Sequence, residues 1–226
     1  MIVLTKVIVS LISNARIASL NSLYESIVQQ QISYQIGNNL YLSITDRCTL
    51  ECAFCPKTQG DMTVQGYDLT IHHRPTAEEV ITSIGDVSKY DEIVFCGYGE
   101  PTLRLNVLLE VARYVKQHGG RVRVNTDGLC NLVHKQDTLP ELAQCVDALS
   151  VSLNAQNSEI YDLHCRPNLP GSYQAMLAFL DRATKYIPDV TATAIDGLDG
   201  VDIEACEGIA RQLKVKFRRR ELNVVG

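Results

Sequence analysis

The 226-residue sequence has no large excess of charge of either sign, with 21 Lys and Arg against 26 Asp and Glu and a formal net charge of −5. Affinity for nucleic acid comes largely from counterion release by Lys and Arg, so this balance argues against a protein whose main task is to coat it. Direct nucleic-acid binding is not expected. Nor is the chain polar enough to stay unfolded, since 46% of its residues are hydrophobic and 21% charged, the profile of a globular protein. It lacks an apolar run long enough to span a bilayer. The apolar start, Met1 to Ile12, is too short for a membrane helix, and no convincing small-residue cleavage site follows it. No internal repeat and no low-complexity tract is present. One catalytic domain in the cytoplasm, without membrane attachment, is the expectation, with residues 1–33 as an N-terminal extension to a core of 34–226.

What the sequence does have is cysteine, eight in all and unevenly spread. Cys48, Cys52 and Cys55 cluster, whereas Cys96, Cys130, Cys145, Cys165 and Cys206 are scattered, mostly in apolar segments. Clustering favours a metal over disulfide staples, and the scattered thiols read as reduced core residues. Three thiolates in so short a stretch can wrap a cubane cluster and leave its fourth iron open to a small molecule. Two alternatives stand beside this one. Structural zinc would take the three cysteines and His72 or His73 as a fourth ligand, although zinc sites usually come as two pairs. An electron-transfer ferredoxin would want four cysteines and a small fold. No further cysteine-rich stretch follows, so a single cluster is expected.

From residue 40 onward, β-rich runs alternate with segments of helical period, the mark of repeated βα units around a parallel sheet. Strands are expected at Leu40–Ile44, Glu92–Cys96, around Val122 and Val124, at Asp147–Asn154, at Val190–Ala194 and after Lys214. Thr76 and Glu79 have capping-box spacing before a helix whose buried stripe is Val80, Ile81, Ile84 and Val87. About six such units make an α/β fold, a partial (β/α)6 TIM-like barrel rather than a closed eight-fold one. In Asp147–Asn154, Leu149, Val151 and Leu153 alternate with Ser150, Ser152 and Asn154. The apolar face would meet helices, so the polar face must look into an interior holding a ligand or water.

The cysteine loop follows the carboxyl end of the first of these strands, the end at which α/β barrels place their active sites. Cys48-x3-Cys52-x2-Cys55, with Phe54 just before the last cysteine, resembles the cluster motif of the radical S-adenosylmethionine (SAM) superfamily. Gly97-Tyr98-Gly99-Glu100-Pro101, after the second strand, resembles that superfamily's Gly-Gly-Glu motif, with Tyr98 between the glycines. Val124-Asn125-Thr126-Asp127-Gly128 resembles its Thr-Asn-Gly loop, with Asp127 in place of asparagine; turn chemistry alone accounts equally well for Asp127-Gly128. The resemblance implies a [4Fe–4S] cluster on the three cysteines and SAM on its open iron. An electron from a flavodoxin or ferredoxin type donor would cleave SAM to a 5′-deoxyadenosyl radical that takes hydrogen from a substrate.

It also implies that Phe54 packs near the adenine, that Gly97, Tyr98, Gly99 and Glu100 surround the amino group, and that Asn125 bonds the methionyl part. Ser150, Ser152 and Asn154 would contact ribose or carboxylate, and Arg166 would pair with the carboxylate. The plainer alternative for Phe54 is a core aromatic and for Arg166 a solvated loop arginine; the run Arg218-Arg219-Arg220 could grip a phosphate or nucleic acid near the barrel mouth, but an edge strand with alternate residues in water is the preferred reading. No residue is assigned as a hydrogen donor, because the cofactor does the abstraction. From Tyr34 to about Arg220 the phrases Tyr-Gln-Ile-Gly-Asn-Asn-Leu-Tyr-Leu and Phe-Cys-Gly-Tyr-Gly-Glu-Pro-Thr-Leu-Arg look like the small radical SAM proteins linked or fused to TatD-type nucleases. Three functions are open: an enzyme acting on a small or nucleotide-like molecule, an activase that makes a radical on a partner protein, and a non-enzymatic iron–sulfur or zinc module.

Overall fold

A computed structural model describes residues 30–222 of the chain. Most of the expected extension, residues 1–29, lies outside this part, and the compact unit that carries the fold begins at Gln31. β1 (Ser33–Ile36) turns back through Gly37, at φ 59°, to pair antiparallel with β2 (Asn39–Leu42). A small hairpin, β3 (Thr63–Val64) and β4 (Tyr67–Asp68), stands inside the cysteine loop. Nothing in the sequence pattern marks it.

The rest of the chain alternates as expected. α1 (Ala77–Ile84) precedes β5 (Glu92–Phe95), and α2 (Leu105–Gln117) precedes β6 (Val122–Thr126). Two short helices, α3 (Cys130–His134) and α4 (Leu139–Leu142), lead to β7 (Ala148–Ser152). Then come α5 (Ser158–Cys165), α6 (Ser172–Ala183), β8 (Asp189–Asp196), α7 (Ile203–Gln212) and β9 (Lys216–Glu221). The sheet runs β1-β2-β5-β6-β7-β8-β9, and every pair from β2 onward is parallel. This is the partial six-unit barrel, with one antiparallel strand added at the β2 edge and β9 left as the other edge.

Alternation along each strand sorts the two faces. Leu40, Leu42, Ile93, Phe95, Val122, Val124, Leu149 and Val151 join the main apolar core with Val80 and Ile84 of α1, Leu108 and Val111 of α2, and Met176 and Phe179 of α6. The intervening residues face the interior, where Asn125, Ser150 and Ser152 line a cavity of about 280 Å³. Burying a large aliphatic side chain is worth roughly 1.5–3 kcal/mol, so the outer face fixes which residues turn inward. A one-residue slip would place these hydroxyls in the apolar core.

α1 begins where the sequence marks it. Thr76 Oγ1 accepts the Glu79 backbone N–H at 3.2 Å, and Glu79 Oε2 accepts the Thr76 N–H at 2.7 Å. Removing the cap with Thr76→Ala is expected to cost about 1 kcal/mol, seen in a thermal melt as a fall of about 2–4 °C.

Candidate active site

Because β2 lies beside β5, and β5 beside β6, the loops leaving their carboxyl ends meet over the same end of the barrel. The segment after β2 is held by its backbone. Arg47 O accepts the Glu100 N–H at 2.7 Å, and Arg104 Nη1 donates to Ile44 O at 2.9 Å and to Pro75 O at 2.6 Å. Gly99 makes this approach possible: a Cβ there would stand 2.2 Å from Thr45 O and 2.8 Å from Arg47 O. On its other side the cysteine loop lies along the chain after α5. Ala53 N–H donates to His164 O at 2.8 Å, Leu50 bridges Pro167, and Asn168 N–H donates to Thr49 O at 3.0 Å.

Two buried carboxylates join the three loops. Glu100 Oε1 accepts from Thr102 N at 2.9 Å, Thr102 Oγ1 at 2.6 Å and Thr126 Oγ1 at 2.9 Å, and Oε2 accepts from Asp127 N at 2.7 Å. Asp127 in turn accepts from Leu129 N at 2.9 Å and from the Thr49 hydroxyl, the residue after Cys48. Burial raises the pKa of both acids, and the charge of Asp127 raises Glu100 further. A hydrogen bond to each of the four carboxyl oxygens makes such a pair tolerable in the interior.

Cys48, Cys52 and Cys55 are free thiols, half-buried, and all three line the cavity. Burial, then the charges of Asp127 and Glu100, push the Cys48 thiol up. A hydrogen bond with the Cys165 thiol, then burial, pushes Cys52 up. Cys165, expected as a plain core thiol, is thus buried directly against one of the cluster cysteines; the contact spans more than a hundred residues of sequence and leaves no local signal.

Most of the other expected residues share this cavity: Phe54, the stretch Gly97 to Glu100, Asn125, Asp127, Ser150, Ser152 and Asn154. Tyr98 turns from the glycines to hydrogen-bond Thr63 O at 2.6 Å, which ties the β3–β4 hairpin to the motif. Arg166 is not brought to this cavity. It ends α5 in the left-handed conformation, φ 46°, is exposed, and does not line the cavity; its carbonyl, not its guanidinium, faces the cysteine loop by accepting Glu51 N–H at 3.3 Å. His72 and His73 are exposed and outside the cavity, with His73 against Glu79. Arg218 and Arg220 are the reverse case: β9 is the expected edge strand, yet these two line the cavity while Arg219 faces Asp196.

Residues 42–213 match the family description "Radical SAM superfamily". The chain belongs to the radical SAM superfamily. It is 32% identical over 124 residues to a tungsten-containing aldehyde ferredoxin oxidoreductase cofactor-modifying protein of Pyrococcus furiosus, covering 51% of this chain and 30% of that protein. It is 33% identical over 81 residues to a protein named as a glycyl-radical enzyme activating enzyme of Methanocaldococcus jannaschii, covering 36% of this chain and 30% of the other. The alignments thus take in under a third of either relative's length. In fold it is similar to Streptococcus suis SuiB bound to S-adenosylmethionine, with a TM-score of 0.64 at 13% identity over 84% of this chain and 42% of that one.

Radical SAM proteins use a [4Fe–4S] cluster and SAM, and the residues present fit both. The donor set is three soft thiols on one wall, suited to iron–sulfur ligation. Among the described residues no three His, Cys, Asp or Glu side chains are grouped to hold a single metal ion. Asn154, at φ 59° and lining the cavity, has a buried Oδ1 without a partner among the described residues, the kind of acceptor a bound ligand satisfies. No helix of the described residues is long and apolar enough to cross a membrane.

Thr49→Val keeps the shape of the side chain but removes the hydroxyl that Asp127 holds. It is expected to cost about 1–3 kcal/mol, measured by urea unfolding, and to lower the iron retained after reconstitution.

Proposed function

We propose that this protein is a radical SAM enzyme in which Cys48, Cys52 and Cys55 ligate the cluster and the cavity beside them holds SAM and a small or nucleotide-like substrate. When bound and reduced, the cluster would supply the electron that cleaves SAM to methionine and a 5′-deoxyadenosyl radical, which would take hydrogen from that substrate. The observation that carries this reading is the gathering of three free thiols and an inward polar strand face around one cavity.

In this site, the backbone around Gly97 and Gly99 and the carboxyl groups of Glu100 and Asp127 would surround the cationic amino group. Asn125, Ser150, Ser152 and Asn154 offer hydrogen bonds to the carboxylate and ribose, and Phe54 packs on the adenine. The chain's own work is to orient these groups and keep water from the radical. A flavodoxin or ferredoxin type protein would bring the electron in the cytoplasm. The resemblance carried by Tyr34–Leu42 and Phe95–Arg104 supports grouping the chain with the TatD-linked members, with a TatD-type nuclease as an associated protein.

A second reading, an activase acting on a glycine of a partner enzyme, is favoured by the 33% identity to the Methanocaldococcus jannaschii protein. The open edges of the barrel suit either substrate.

Anaerobic reconstitution with iron and sulfide, followed by reduction with SAM present, is expected to give a four-iron chromophore and 5′-deoxyadenosine. Cys52→Ala is expected to abolish both. Bound zinc with no iron–sulfur chromophore would overturn the assignment.

A further inference from the structure

Away from the cysteines the cavity wall changes sign. Arg123 on β6 and Arg218 and Arg220 on β9 all line it, although β7 and β8 separate those strands in the sheet. The curl of the sheet brings them to one region: burial, then the charges of Arg123 and Arg220, press the Arg218 guanidinium below its ordinary pKa. Only one of the three is neutralised. Arg123 Nε meets Glu92 Oε2 at 2.6 Å, whereas Arg218, exposed at the rim, and half-buried Arg220 have no ion pair or side-chain hydrogen bond among the described residues. Glu221, which also lines the cavity, pairs with neither. Arg219 between them is taken up by Asp196 on the opposite face.

Glu100 and Asp127 pair with none of these arginines. Their oxygens are taken by Thr102, Thr126, Leu129 and Thr49 at the carboxyl ends of β5, β6 and β2. Guanidinium groups held together without counter-ions repel one another, and a bound oxyanion relieves that repulsion while taking bidentate hydrogen bonds from each fork. In register, Arg218 lies beside Thr193 and Arg220 beside Ile195, so both stand on the far side of β8 from Ser150 and Ser152. In the proposed SAM site, Cys48, Cys52 and Cys55 would hold the cluster, and the SAM carboxylate would be bound beside them. The arginine end is left for a different anion.

We propose that Arg218 and Arg220, with Arg123 behind them, form an oxyanion subsite that seats a doubly charged phosphate or dicarboxylate group of the substrate across the cavity from the cysteines. This deepens the proposed radical SAM function and rests on it for the role of substrate. Two unpaired guanidiniums match two negative charges, and hydrogen abstraction then occurs on the part of the molecule that reaches back toward the cysteine end.

The test is equilibrium binding of inorganic phosphate and of malonate to the reconstituted protein, at an ionic strength fixed with chloride and with SAM absent or saturating. Saturable binding that persists with SAM is expected, weakened about tenfold or more by Arg218→Gln and by Arg220→Gln and unchanged by Arg219→Gln. Circular dichroism of each variant checks that the edge strand still folds. Preference for phosphate over malonate assigns a phosphorylated substrate, and the reverse a dicarboxylate. The proposal is overturned if no saturable binding occurs, or if Arg219→Gln weakens it equally. It is also overturned if SAM displaces both probes and Arg220→Gln weakens SAM itself, which would give these arginines to the SAM carboxylate. Binding is read without turnover, so failure here and failure to cleave SAM are separate results.

Discussion

Glu100, buried at the carboxyl end of β5, accepts hydrogen bonds from Thr102, Thr126 and Asp127, and Asp127 accepts one from Thr49. A buried carboxylate with unmet lone pairs is costly, and one with its bonds made is rigid. These bonds therefore fix three loops from three strands in one arrangement, and Thr49 passes that constraint to Cys48. The glycine at 99 is the steric condition for it, since any side chain there would push the β2 loop away from β5. Three cysteines on a loop need such an anchor, because thiols without metal offer one another no attraction.

The same constraint explains why the barrel interior tolerates polarity. Ser150, Ser152, Asn154 and Thr193 point inward because their neighbours along the strand are committed to the helices outside. An incomplete barrel leaves β9 as an edge, and inward side chains on that edge reach the cavity mouth without crossing a packed centre. Glu100 and Asp127 are tied to the cysteine loop through Thr49, and Arg218 and Arg220 line the same cavity from β9.

Much of this was legible in the sequence. The spacing of Cys48, Cys52 and Cys55, the glycines around Tyr98, and the alternation of Leu149, Val151 and Leu153 with serines each have a local physical cause, and the site residues they single out line one cavity. The hidden parts have a common reason. α5 buries only Tyr161 and Cys165, one i, i+4 pair, which is too narrow a stripe to read as a helix. β1 and the β3–β4 hairpin are short and largely polar, and their pairing depends on partners brought by the fold. For Arg218 and Arg220, alternation shows that they share a face, but charge does not tell which face is the cavity. Arg166 misled for the opposite reason: it follows the polar strand closely in sequence, yet α5 carries it outside.

The central claim is that three cysteines leave one iron open to SAM. The most direct measurement is electron paramagnetic resonance of the reduced, reconstituted protein with and without SAM labelled with ¹⁵N at its amino group. The account expects a changed signal on SAM addition, with hyperfine coupling from the labelled nitrogen. A cluster signal that SAM leaves unchanged and uncoupled would contradict it.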